Sequence, residues 1–176
     1  MAAAALLALV PAGVGATGHA LADPGTGPSA DYSTEGGLAD GQRLSPFDLS
    51  SPAVYRLDPA LLDAIERAAD GAAAEGITIG LTSGWRSPEF QQQLFDDAVA
   101  QYGSVDIASQ YVASPQVSKH VLGKAVDVGP AGADDWLIRN GAAFGLCQIY
   151  ANEMWHFELA SDYGGACPPL RPNAAG

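Results

Sequence analysis

From residue 53 onward the chain switches between two hydrophobic periods. Leu61, Leu62, Ile65, Ala68 and Ala69 recur at helical spacing and predict a helix with one buried stripe. Asp58 as cap and Pro59 at the first helical position open it, and Gly76 closes it. Ile77-Thr78-Ile79-Gly80-Leu81-Thr82 alternates β-branched positions and predicts a strand. Ser87-Pro88-Glu89 opens a second helix through Phe90, Leu94, Phe95 and Val99, which stops near Gly103. Beyond a loop containing Ser114-Pro115, Lys124 to Val128 reads as a short strand. Asp134 to Ala143 reads as a third helix, with Trp136, Leu137 and Phe144 on its apolar side. The segments 146–150 and 155–159 are the last two strands. Too little helix lies between those strands for a doubly wound parallel sheet. The expected class is α+β, a small, mainly antiparallel sheet flanked by helices.

The segment before residue 53 follows neither period. Met1 to Ala22 has no charged side chain, and its apolar run to about Val14 is shorter than the roughly 20 residues of a spanning helix. It ends in Ala20-Leu21-Ala22, a small-x-small pattern that signal peptidase cleaves after. Residues 1–22 are therefore expected to be a signal peptide that contains His19, although no basic side chain precedes the apolar run. Residues 23–52 are rich in Gly, Ser, Pro and Asp and read as a flexible linker or arm, with Phe47 and Leu49 as its anchoring side chains. The folded domain is expected over 53–170.

Charge narrows the partners. A net charge of −12 over 176 residues argues against nucleic acid and anionic lipid, both of which need a basic face. No membrane span is expected once the leader is removed, and the mature chain is expected to be a monomer. Export changes the reading of Cys147 and Cys167. In an oxidising compartment two cysteines most simply form one bridge, the alternative being two buried thiols.

Two segments carry the candidate chemistry. Ser118-Lys119-His120-Val121-Leu122-Gly123-Lys124-Ala125-Val126-Asp127 places a histidine and a carboxylate on either side of a glycine turn. Glu153-Met154-Trp155-His156 supplies a second histidine with an acid three residues earlier. Each signal is weak by itself, but both histidines of the mature chain fall in such segments. Two imidazoles and one carboxylate, His120, His156 and Asp127, leave a fourth zinc position open for water, the arrangement of a catalytic site.

Three segments together resemble the VanY-like D-alanyl-D-alanine carboxypeptidase family of zinc peptidases. They are Ser83-Gly84-Trp85-Arg86-Ser87 with Gln91, then Ser118-x-His120-x-x-Gly123-x-Ala125-x-Asp127, then Glu153-x-Trp155-His156. They occur in the family's order and span most of the mature chain. The resemblance implies the family's zinc DD-peptidase fold and one zinc per chain on His120, Asp127 and His156. It implies Glu153 as base, Arg86 facing the substrate, and peptidoglycan stem peptides as substrate, with release of a terminal D-alanine. An endopeptidase, a dipeptidase and a non-catalytic wall-binding module are the alternatives. Met154 departs from the family, many members of which carry proline there, and the approach from Leu146 to Glu153 is short. Arg86 is expected to stabilise charge on the reacting carbonyl or to grip a terminal carboxylate. Ser118 binds substrate or caps a turn, Gln91 holds substrate or Arg86, and Trp155 is pocket wall or core. Glu158 is expected as a solvated surface acid, with orientation of His156 as the other reading.

Overall fold

A computed structural model describes residues 32–175. The expected signal peptide and residues 23–31 lie outside the described residues. Five helices, α1 (Pro52–Tyr55), α2 (Pro59–Ala74), α3 (Pro88–Tyr102), α4 (Val105–Ala108) and α5 (Ala131–Asn140), accompany one sheet. The strands are β1 (Gly80–Ser83), β2 (Ala125–Gly129), β3 (Leu146–Gln148) and β4 (His156–Leu159), in the order β1-β2-β4-β3, every neighbour antiparallel. This is the expected small antiparallel sheet with flanking helices.

The helix signals act as read. Asp58 accepts a hydrogen bond from the Ala60 amide at 2.9 Å, and Ser87 Oγ accepts one from Phe90 at 2.9 Å. The stripe Leu61, Ala64, Ile65, Ala68 and Ala72 of α2 is buried against Leu81, Val126, Leu146 and Phe157 of the sheet. Each fully buried Leu, Ile or Phe there contributes about 1.5–3 kcal/mol. The alanines of the stripe leave room for the sheet to approach the helix closely.

Several boundaries differ from the sequence reading, and the last two strands shorten to Leu146–Gln148 and His156–Leu159. The first strand begins at Gly80 rather than Ile77, because the Ile77 amide turns back to the Ala72 carbonyl and terminates α2. The third helix starts at Ala131 and tightens into a 3-10 turn over Gly141–Phe144. The short helix α4 lies in what reads as loop.

The described part of the 23–52 arm is not a free linker. Leu44 pairs with Leu81 through two backbone hydrogen bonds of 3.0 and 2.8 Å and covers the outer edge of β1. Leu44 and Pro46 are buried, whereas Phe47 and Leu49 are 51% and 56% exposed, so the anchors are not the ones expected. Glu35 accepts from the Ser87 hydroxyl at 2.8 Å, and Tyr32 stacks on Phe90 with ring centroids 4.7 Å apart. The arm is thereby fastened to the start of α3.

Cys147 and Cys167 are bridged, as expected for an oxidising compartment. The bridge spans 20 residues of sequence that include Glu153 and His156. Replacing both cysteines with alanine should lower stability by about 3 kcal/mol, read from denaturant unfolding of the parent and the double variant. An unchanged unfolding midpoint would show that the loop needs no such constraint.

Candidate metal centre and active site

The sheet builds the site as a row across three strands. Ser83 on β1 pairs with Asp127 on β2, and Asp127 pairs with His156 on β4. An irregularity between Leu81 and Ser83 makes this row possible. Leu81 sits opposite Val128 while Ser83, two residues on, sits opposite the adjacent Asp127. The extra residue turns Leu81 into the core and Ser83 toward the site, where simple alternation would put both on one face. On β4, Phe157 faces the core, and His156 and Glu158 share the other face.

His120 arrives from the loop before β2. Its Nδ1 lies 2.8 Å from the Gly84 carbonyl, which fixes the ring, and the loop then reverses through Gly123 at a φ of +67°. A side chain at Gly123 would meet the Arg56 carbonyl 2.5 Å away, so glycine is required there on two counts. Gly84 is equally constrained, since a Cβ would collide with the carbonyl of Ala53.

The three expected ligand side chains converge. His120 Nε2 is 3.3 Å from His156 Nδ1 and 3.4 Å from Asp127 Oδ1, and His156 Nδ1 is 3.1 Å from Asp127 Oδ1. Tetrahedral zinc with bonds of roughly 2.0–2.2 Å sets its ligand atoms roughly 3.3–3.6 Å apart. The donor set fits that ion with only small movements, and all three residues are buried.

Electrostatics agree with the donor chemistry. Burial, then the charge of Arg86, pushes His120 below its ordinary value, which favours the neutral imidazole that a metal needs. Burial alone would raise Asp127, but His120 and His156 outweigh it and hold the carboxyl well below the usual range. Burial opposes charge on His156, yet its bonds to Asp127 and Glu158 carry it up to about 9 in the metal-free chain. A metal therefore displaces a proton from Nδ1.

Glu153 stands beside this cluster, with Oε2 3.8 Å from His156 Nδ1. Its Oε1 is buried and has no hydrogen-bond partner in the protein. Burial, reinforced by Asp127 and opposed by His156 and Arg86, raises the carboxyl to about 7. A buried, unpartnered acceptor next to an open coordination position is where a reacting water would be received.

Arg86 is bonded on three sides. Nε donates to Ser83 Oγ at 2.8 Å, one terminal nitrogen to Gln91 at 3.1 Å, and the other to Asp127 Oδ2 at 3.0 Å. Asp127 is thus held with Oδ2 on the guanidinium and Oδ1 toward the histidines. Gln91 also donates to the Ala113 carbonyl at 2.8 Å, so its amide holds the arginine and ties α3 to the loop before Ser118.

A cavity of about 640 Å³ opens over these groups. Arg86, Gln91, Ser118 and Trp155 line it with the metal cluster and Glu153. Trp155, half-buried, is therefore wall rather than core. Ser118 is buried at the base of its loop, and Met154 lies exposed, at 46%, beside the site.

Two contributions are absent from the sequence reading. Tyr150 lines the cavity with its ring centroid 5.1 Å from that of His156. Asp40 and Gly41 of the arm reach the same cavity. The expectation for Glu158 is also overturned. It is 0% exposed, accepting from His156 Nε2 at 3.0 Å and from the Tyr163 hydroxyl at 2.7 Å. His156 and the Tyr163 hydroxyl engage its two oxygens, and Tyr163 comes from the turn directly after β4.

Known proteins share this fold. The family model of VanY, D-alanyl-D-alanine carboxypeptidase, matches residues 55–164. A D-alanyl-D-alanine carboxypeptidase of Enterococcus faecalis is 30% identical over 145 residues, 68% of this chain and 49% of the relative. The chain thus spans about half the length of that relative. A vancomycin-resistance D,D-pentapeptidase VanY variant crystallised with Zn(II) superposes with a TM-score of 0.55 at 27% identity, covering 78% of this chain and 88% of that one. VanYB in complex with D-alanine-D-alanine gives 0.55 at 26% identity over 78% and 87% of the two chains. With the family region running from α1 to the end of the sheet and containing every residue of the metal cluster, the chain belongs to the VanY D-alanyl-D-alanine carboxypeptidase family.

Proposed function

We propose that the chain is a zinc-dependent carboxypeptidase that releases the C-terminal D-alanine from peptidoglycan stem peptides. The carrying observation is Glu153 Oε1, buried and unpartnered beside three donor atoms spaced for zinc. His120 Nε2, Asp127 Oδ1 and His156 Nδ1 would hold the ion. Zinc bound there supplies a Lewis acid that lowers the pKa of a coordinated water toward about 7 and polarises the scissile carbonyl.

The remaining work falls to the protein. Glu153 takes the proton of the attacking water and delivers it to the leaving amine. Arg86 keeps Asp127 in place and lines the cavity, and its guanidinium has N–H groups beyond the three already bonded to offer a developing oxyanion or a terminal carboxylate. Ser118 and Trp155 flank the substrate, one offering a hydroxyl and the other an apolar face. VanYB is in complex with D-alanine-D-alanine, and the cavity of about 640 Å³ over the metal cluster supports a peptide ligand of that class here.

Action outside the cytoplasm is part of the same reading. The uncharged leader, the bridge between Cys147 and Cys167 and a cell-wall substrate all support export. Among the described residues no helix is long and apolar enough to cross a membrane.

Mass analysis of defined muropeptides after incubation with the zinc-loaded protein tests the proposal. Pentapeptide should become tetrapeptide plus free D-alanine. Release of a dipeptide, or cutting of cross-linked dimers with the pentapeptide intact, would replace it with the dipeptidase or the endopeptidase reading. Binding to peptidoglycan without any cleavage would leave a wall-binding module.

Arg86→Lys is expected to keep charge yet lose the planar fork that joins Ser83, Gln91 and Asp127. Its kcat/KM should fall about 10²-fold or more, on the scale of removing one transition-state donor. A lysine variant with parental kcat/KM would remove Arg86 from the mechanism.

A further inference from the structure

We propose that Glu158 is a positioning residue for the metal centre, its carboxylate fixing the His156 imidazole in the tautomer whose Nδ1 lone pair faces Asp127 and His120. The inference rests on the zinc reading above.

Glu158 lies in the middle of β4 and is completely buried. Acidic side chains are almost never fully buried without partners. Both oxygens are used here: Oε1 accepts from His156 Nε2, and Oε2 accepts from the Tyr163 hydroxyl. Its cross-strand neighbours, Ala125 and Cys147, carry no charge. Its direct contact with the metal cluster is the hydrogen bond to His156.

A carboxylate can only accept hydrogen bonds. Its contact at 3.0 Å demands the hydrogen on Nε2, and a neutral imidazole then carries its lone pair on Nδ1. Nδ1 is the atom that lies 3.1 Å from Asp127 Oδ1 and 3.3 Å from His120 Nε2. His120 is set the opposite way, with the Gly84 carbonyl on Nδ1 and Nε2 toward the cluster. One ligand is thus oriented by a neutral peptide group and the other by a carboxylate. The carboxylate makes His156 the more basic of the two donors.

Tyr163 completes the device. It sits in the 3-10 turn Ala160–Tyr163 directly after β4 and pins Oε2, so that Oε1 cannot swing away from the ring. The Arg171 guanidinium stands 5.8 Å from the centroid of the Tyr163 ring. Arg171 itself is tied by backbone hydrogen bonds to Ile149 and Ala151. The carboxylate is therefore held from the side away from the metal.

The test is a zinc competition titration against a chromophoric chelator, with imidazole nitrogen NMR of the zinc-loaded proteins. It compares the parent with Glu158→Ala, Glu158→Leu, Glu158→Gln and Tyr163→Phe. Glu158→Ala should weaken zinc binding about 10- to 100-fold and remove the single Nε2–H signature of His156. Glu158→Gln keeps the shape, can still accept through its amide oxygen and should lose less. Tyr163→Phe should lose least, because Oε1 still reaches the ring. Thermal unfolding of the zinc-free proteins separates a folding defect from a metal effect, and Glu158→Leu, which fills the space but accepts no hydrogen bond, keeps the test decisive should the alanine variant unfold. Parental zinc affinity in the folded Glu158→Ala or Glu158→Leu variant, with an unchanged His156 signal, would overturn the proposal. A parent chain that binds no zinc overturns the functional reading itself, and this inference with it.

Discussion

Glu153→Gln should keep the fold and the zinc while turnover falls by about 10²–10⁴-fold. Glutamine matches the volume of the buried side chain but cannot receive the proton that Oε1, without a protein partner, is placed to take. The loss should therefore appear in kcat, with KM and zinc content close to the parent's. Direction with pH follows from the same side chain. The carboxyl stands at about 7 in the metal-free chain, because burial outweighs the cations around it. A bound dication favours the ionised form, so kcat should rise with pH along an acid limb whose midpoint lies below 7. That limb should vanish in Glu153→Gln. Steady-state kinetics across pH on a stem pentapeptide measures both effects. Equal kcat in parent and variant would remove Glu153 from the mechanism.

Asp127→Ala should have the other large effect, on both metal and stability. Asp127 is shared between the metal cluster and Arg86, at 3.0 Å from a guanidinium whose side chain is only 16% exposed. Alanine removes one of three ligands and leaves a buried cation without its charge partner. Breaking such a pair from one side costs about 3–5 kcal/mol. Zinc-free Asp127→Ala should therefore unfold at markedly lower denaturant concentration than the zinc-free parent and retain no stoichiometric zinc. Restoring apolar balance with a second change, Arg86→Met, should recover part of the stability and none of the metal binding. Parental stability in the single variant would mean that Arg86 finds another partner or reaches solvent.

The elements that could be read from the chain are those whose signals are local. The stripe of α2, the caps at Asp58 and Ser87 and the glycine of the Ser118–Asp127 segment each act within a few residues, and each has the expected role in the fold. The metal cluster was legible for a related reason. Asp127 and His156 are brought together by adjacent strands and His120 by the loop before β2, and the chemistry of their donor set is unusual enough to stand out.

Features that depend on tertiary burial were not legible. Glu158 has the composition of a surface acid. Only its place on the same face of β4 as His156, with Tyr163 folded back onto it from the following turn, makes it a buried partner of His156. Tyr150 carries no motif, and it meets His156 because the segment after β3 folds back over the site. In the arm, apolar size suggested Phe47 and Leu49, whereas the free backbone groups at the edge of β1 select Leu44. The bulge before Ser83 is equally silent in sequence, although it decides which of two nearby side chains reaches Asp127. Sequence period describes what each segment can bury. Pairing and register decide what it does bury.

Zinc titration of the metal-free protein, with hydrolysis of stem pentapeptide followed at each addition, tests the central claim most directly. The zinc-free chain should be inactive, the rate should rise in proportion to added metal, and it should level off at one zinc per chain, with D-alanine as the released product. Full activity without zinc, or one tightly bound zinc with no hydrolysis of any stem peptide, would contradict a catalytic metal on His120, Asp127 and His156.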